Sequence, residues 1–145
     1  MTYINHILYI GIDPDLDKSG LCIYDRYAQE NMQLINASFF DVLDILNENY
    51  KTRRTITHIE AGWLNKKSNW HGGNNVVSQK IAKNVGENHA TGKLIEQYCI
   101  RNNYQYKLIV PKKSKVDAVM FKKLTGYERR TNQELRDAAM LVYGL

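Results

Sequence analysis

The chain has 145 residues, 43% of them hydrophobic, with a formal net charge of +5 at pH 7. That length suits one domain with a real core, and no apolar run approaches the roughly 20 residues a membrane span requires. The two cysteines, Cys22 and Cys99, lie in apolar contexts without CxxC spacing, so they read as buried thiols rather than a zinc site or a disulfide framework. The opening segment lacks a basic stretch and a small-residue cleavage site, so a cytoplasmic location is expected. Charge is unevenly spread: residues 1–50 carry eight acidic side chains against two basic, residues 51–145 seven against eighteen. An acidic pole beside a long basic surface suits a protein that holds cations at one point and a polyanion around it, although a solvated basic face has the same composition.

Two short apolar runs, residues 8–12 and 21–24, flank a turn rich in Asp, Pro, Ser and Gly, which predicts a β-hairpin. Asp13 closes the first strand and presents a carboxylate at a strand end. Gly11 and Gly20 leave backbone uncovered beside it, where a metal ion or phosphate can approach. An Asp-Pro pair also serves simply to form a turn. The spacing Asp13-x-Asp15-x-Asp17 is not a calcium loop, because Lys18 stands at the sharp-turn glycine position and Tyr24 at that of the closing glutamate. Residues 32–40 predict a third strand, and residues 41–50 a short helix with Val42, Leu43, Ile45 and Leu46 on one side. Residues 55–60, β-branched and alternating, predict a fourth strand, which a right-handed crossover places parallel to the first and beside it. Glu60 then joins Asp13 near the carboxyl ends of adjacent strands, the site edge of open α/β sheets. Two unpaired carboxylates there repel unless a cation joins them.

Residues 61–75 form an aperiodic loop. In it Trp63, Lys66, Lys67, Trp70 and His71 interleave aromatic faces with positive charge, the pairing that recognises exposed bases beside phosphates. The alternatives are that Trp70 anchors the loop to the core and that His71 is an ordinary surface histidine. Residues 76–102 predict a long helix, bent near Gly86, with Ile81, Val85, Leu94, Ile95, Tyr98 and Cys99 in its apolar stripe. Its segment GENHATGK misses the phosphate-loop pattern: five residues separate the glycines, Leu94 replaces the hydroxyl residue and no strand leads in. Residues 105–110 predict a fifth strand, ended by Pro111 and followed by a basic turn with Lys112, Lys113 and Lys115. Residues 116–125 predict a helix with Val116, Val119, Met120 and Leu124 inward and Gly126 as its C-cap. A basic loop with Arg129 and Arg130 follows. Thr131-Asn132-Gln133-Glu134 reads as a capping box for a final helix running to Gly144, on which Glu134 and Asp137 share a face. Asp137 borders the buried side among Ala138, Ala139, Met140 and Leu141, so it needs a partner or a metal. Glu134 is either the cap or a ligand, and it cannot serve fully as both.

Gly11-Ile12-Asp13-Pro14 with Ser19-Gly20, a strand ending Ile59-Glu60, and a helix Glu134-x-x-Asp137-Ala138-Ala139 together resemble the RuvC-type Holliday-junction resolvases of the RNase H-like superfamily, particularly their compact phage-borne branch. The resemblance spans nearly the whole chain in order. Its first motif alone is shared with sugar kinases of the actin-like group, whose architecture needs two such domains and a cleft between them. The resemblance implies an α/β RNase H-like fold, a five-stranded mixed sheet flanked by α-helices, acting as a homodimer on branched DNA without a small-molecule cofactor. The family's acidic metal ligands carry over to Asp13, Glu60, Glu134 and Asp137, and its stacking aromatic to Trp63. Its basic residues near the scissile phosphate fall among Lys112, Lys113 and Lys115, with Lys113 and Lys115 taken as the catalytic candidates. The implied chemistry is phosphodiester hydrolysis with two Mg²⁺ ions, for which Mn²⁺ substitutes, since all-carboxylate sites suit hard cations. The turn holds more Asp than the family's Gly-Ser version, so Asp15 or Asp17 either joins the metal site or caps the hairpin. The long loop with two tryptophans fits flaps and forks as well as junctions. Two rival functions remain: an RNase H-like nuclease acting on RNA, and a DNA-branch binding module without catalysis.

Overall fold

In the computed structural model, residues 6–65 and 76–145 are described. The strands are β1 (Leu8–Asp13), β2 (Ser19–Tyr24), β3 (Met32–Ala37), β4 (Thr55–Glu60) and β5 (Tyr106–Ile109), in the sheet order β3-β2-β1-β4-β5. The first three form an antiparallel meander, whereas β4 pairs parallel with β1 and β5 parallel with β4. The helices are α1 (Phe39–Thr52), α2 (Val76–Arg101), α3 (Ala118–Thr125) and α4 (Gln133–Met140). α1 carries the chain from β3 across to β4, which sets β4 beside β1 as the crossover rule requires. No helix among the described residues is long and apolar enough to cross a membrane.

Side-chain alternation along the strands divides the interior in two. Ile10, Ile12, Leu21 and Ile59 pack with Val42 and Leu46 of α1 and with Ile95 and Cys99 of α2. On the other face Cys22, Tyr24 and Met32 pack with Phe121 of α3 and with Ala138, Ala139 and Val142 of α4 and the turn after it. Both cysteines are free and fully buried, and burial pushes each thiol up to about 12.

Four local expectations are corrected. Phe39 and Phe40 belong to α1, not to the third strand. The Ser38 hydroxyl accepts the Asp41 N–H at 3.3 Å, and this N-cap overrides the strand preference of two aromatics. α3 starts after Asp117, whose carboxylate accepts the Met120 N–H at 2.8 Å, and the side chain it buries is Phe121. Val119, Met120 and Leu124 face solvent, Val119 with 67% of its surface exposed. α3 buries only Phe121, its one aromatic ring; Gly126, at φ 73°, closes the helix as expected. α4 is capped by Asn132, whose side-chain oxygen accepts the Leu135 N–H at 2.9 Å, so Thr131 is not the cap of a capping box.

The fourth correction bears on the site. Gly11 and Gly20 do not leave backbone open to a ligand, because α4 lies across them. A Cβ on Gly11 would collide with the Ala138 carbonyl oxygen, and one on Gly20 with that of Glu134. The glycines, together with Ala138 and Ala139, let a helix backbone approach the sheet more closely than side chains would allow.

Candidate functional site

The register Ile12↔Ile59 sets Asp13 and Glu60 side by side at the carboxyl ends of β1 and β4. Close seating of α4 on Gly11 and Gly20 brings Asp137 to the same point. One oxygen from each of the three carboxylates lies within 4.8 Å of the other two. The turn after β5 adds Lys115, whose Nζ donates to Asp137 Oδ2 at 2.8 Å and sits 3.6 Å from Glu60 Oε1. Gln133 Nε2 donates to Asp137 Oδ1 at 2.8 Å, so both oxygens of Asp137 are held.

Among the described residues one lysine faces the three carboxylates, too few to balance them. Burial first, and then the charges of Glu60 and Asp137, push Asp13 up to about 9, with Lys115 opposing them. Its close contact with Glu60 adds to the same upward push. The remaining oxygen of Glu60, Oε2, is buried and has no hydrogen-bond partner among the described residues. Buried carboxylate oxygens are normally satisfied, so an orphaned one beside a displaced titration is a place that could hold a cation. An all-oxygen donor set of this kind suits a hard divalent ion, and the residues fit such a metal.

Two cavities meet at this cluster. One, of about 220 Å³, is lined by Asp13 and Glu60 together with Trp63, Asn88, His89 and Lys115. Trp63 stands in a single 3₁₀ turn immediately after β4, with its ring edge seated on Gly92 of α2. The other, of about 300 Å³, shares Glu60 and Lys115 and adds Asp137, Val116, Met140 and Leu141.

Other expected site residues are dispersed. Glu134 lies outside the three-carboxylate group, one turn before Asp137, with its Cβ beside Gly20. Of the basic turn, Lys115 reaches the cluster, Lys112 lines the second cavity, and Lys113 is exposed. Arg129 and Arg130 are exposed and line a separate cavity of about 460 Å³ with Phe121 and Tyr127. Lys66, Lys67, Trp70 and His71 lie outside the described residues. Asp15 caps the hairpin: its Oδ1 accepts the N–H groups of Asp17 and Lys18 at 2.8 and 3.3 Å.

Three residues at the site were not singled out from the sequence. Gln133 was recoverable from its i,i+4 relation to Asp137. Asn88 accepts the Leu16 N–H at 3.0 Å through Oδ1 and so ties the turn after Asp13 to α2. His89 is its neighbour, and only tertiary packing brings either of them to the carboxylates.

No family model matches this sequence, and no curated protein sequence matches it. Two solved structures are similar over nearly the whole chain. T. thermophilus RuvC in complex with Holliday junction substrate superposes with a TM-score of 0.55 at 13% identity, covering 94% of this chain and 90% of that one. Thermus thermophilus RuvC superposes with a TM-score of 0.52 at 13% identity, covering 92% and 90%. At this identity the likeness speaks to architecture, and it shows that the chain has the RNase H-like fold of RuvC, a five-stranded mixed sheet with flanking helices.

Proposed function

We propose that this chain is a metal-dependent, structure-specific endodeoxyribonuclease that cuts branched DNA: Holliday junctions first, and flaps and forks as well. The observation that carries this is the buried group Asp13, Glu60 and Asp137, with an unpartnered Glu60 oxygen, at the carboxyl ends of two parallel strands. The fold it stands on is shared with a RuvC solved together with its Holliday junction substrate. The resemblance in ordered motifs to the compact phage-borne resolvases points the same way.

Asp13, Glu60 and Asp137 are the residues that would hold Mg²⁺, two ions per site with Mn²⁺ as a substitute, and Glu134 is the candidate fourth ligand. Bound there, such ions supply a water activated for in-line attack on phosphorus and charge stabilisation for the departing 3′ oxygen. The chain's own residues do the rest. Asp13 gives up its proton when the carboxylates are needed as ligands. Lys115, once released from Asp137 and Glu60, is within reach of a phosphate held at the cluster. Gln133 keeps Asp137 oriented. Trp63 offers a fixed aromatic face to an exposed base, and Lys66, Lys67, Trp70, His71, Lys112, Lys113, Arg129 and Arg130 supply contacts along the DNA. A homodimer would present one site to each of two strands.

A panel of labelled four-way junction, flap, fork, linear duplex, RNA–DNA hybrid and structured RNA tests this. Mg²⁺-dependent nicks confined to the branched DNAs are expected. Cleavage confined to the RNA substrates would make the chain a ribonuclease, and tight branch binding without turnover would make it a binding module.

A further inference from the structure

α2 contributes to the first cavity a residue, His89, that the carboxylate chemistry does not use. His89 lines that cavity together with Asp13 and Glu60, half-buried, with its ring edge-on to Trp63 at a centroid distance of 6.2 Å and an interplanar angle of 68°. It occupies the space that a side chain at position 62 would need: a Cβ on Gly62 would lie 2.7 Å from His89 Nε2. Among the described residues neither ring nitrogen has a hydrogen-bond partner, in contrast to His58, whose Nδ1 is 3.1 Å from the Leu141 carbonyl. Burial, and then Lys93, hold His89 below the usual imidazole range, which favours the neutral ring with its one donor and one acceptor.

Trp63 alone gives binding that tolerates any base, since every base has a π-face. Discrimination needs hydrogen bonds at the base edge, and an unpaired base at a DNA branch exposes that edge. His89 is placed to supply them. Its ring stands at an angle to that of Trp63, and both line the cavity that opens on the carboxylates.

We propose that His89 reads the substrate: its imidazole hydrogen-bonds the edge of an unpaired base that stacks on Trp63, next to the phosphate held at Asp13, Glu60 and Asp137. This rests on the nuclease assignment for the identity of that phosphate, but not for the recognition of the base. It makes His89 a specificity residue and not a metal ligand, since it stands outside the three-carboxylate group.

The test uses four junctions that differ only in the base at the branch position flanking the nick, with wild type, His89→Gln and His89→Phe. Wild type is expected to cut the four at rates differing by about tenfold or more, the scale of one base-edge hydrogen bond. His89→Phe, which keeps the ring packing, should bring the four rates together by slowing the favoured junctions, and His89→Gln should retain part of the spread. Where wild type cuts, unchanged base preference in His89→Phe, or equal rates for all four bases in wild type, overturns the proposal. The same junctions are also compared by competition binding in the Asp13→Asn background. Base-dependent affinities that disappear on adding His89→Phe uphold the proposal even if wild type cuts nothing, a result that would overturn the nuclease assignment alone. Equal affinities overturn the proposal even if wild type cuts.

Discussion

Among the described residues Asp13 faces two other carboxylates and one lysine, and its raised pKa is the measurable sign of that crowding. Between the ordinary carboxylate value near 4 and its own value of about 9, Asp13 is protonated in the folded chain and ionised in the unfolded one. The folded state binds the extra proton, so the Asp13 contribution to stability is full below pH 4 and is lost as pH rises toward 9. Asp13→Asn cannot ionise and escapes that loss. In EDTA at pH 8 the variant should therefore melt at a higher temperature than wild type, with the gap closing at pH 4. Mg²⁺ should raise the melting temperature of wild type and leave that of the variant unchanged. Equal pH profiles of the two proteins in EDTA would show that Asp13 is not under this repulsion. Among the described residues Lys115 is the cation touching the group, and Lys115→Met should cost about 1 kcal/mol in EDTA, since the pair is half-exposed and partly screened. Cleavage should fall about 100-fold, the scale of losing one charge aimed at a phosphoryl oxygen. A kinetic comparison with Lys113→Met, expected near wild type, separates the two catalytic candidates that the basic turn offered.

At the scale of elements, the site depends on how closely α4 sits on the meander. Gly20→Ala places a methyl group against the Glu134 carbonyl, and overpacking of this kind costs about 1–3 kcal/mol. Relief requires α4 to lift, which carries Asp137 away from Glu60. The variant should thus lose stability and the Mg²⁺-induced rise in melting temperature together. Gly86→Ala is the control, because a Cβ there meets open space on an exposed stretch of α2. It should raise stability by up to about 1 kcal/mol and keep the metal response. The pairing of β1 with β4, and with it the approach of Asp13 to Glu60, was legible in the sequence because crossover handedness leaves one arrangement. The role of the glycines was not, since a missing Cβ admits a ligand or a helix equally well and only the position of Ala138 distinguishes them. Lys115 could not be picked from three lysines in an aperiodic turn. The outward face of α3 was misread because Val119, Met120 and Leu124 follow helical spacing as well as Phe121 does; their apolar character does not say which side has a neighbour.

Across the whole molecule, an acidic centre is embedded in a chain whose last two-thirds is strongly basic. DNA affinity is therefore expected to come from the periphery and cleavage from the centre. Junction binding should weaken steeply between 50 and 200 mM salt, with the charge-reversing pair Arg129→Glu and Arg130→Glu flattening the slope. Gel-shift titrations over that range check it, and an unaltered slope would remove both arginines from the DNA path. The architecture, five strands in the order β3-β2-β1-β4-β5, follows from periodicity and connection rules that act along the chain. His89, Asn88 and the seating of Trp63 on Gly92 do not, because they arise where α2 returns over the sheet edge and no local pattern encodes that meeting. The measurement that tests the central claim most directly is cleavage of a labelled four-way junction by wild type and Asp13→Asn, in Mg²⁺ and in EDTA, with linear duplex as control. Paired, Mg²⁺-dependent nicks by wild type, absent in EDTA and absent in the variant that still binds, are the expected result. Nicking by Asp13→Asn at the wild-type rate, or none by wild type on any branched DNA despite tight binding, would contradict it.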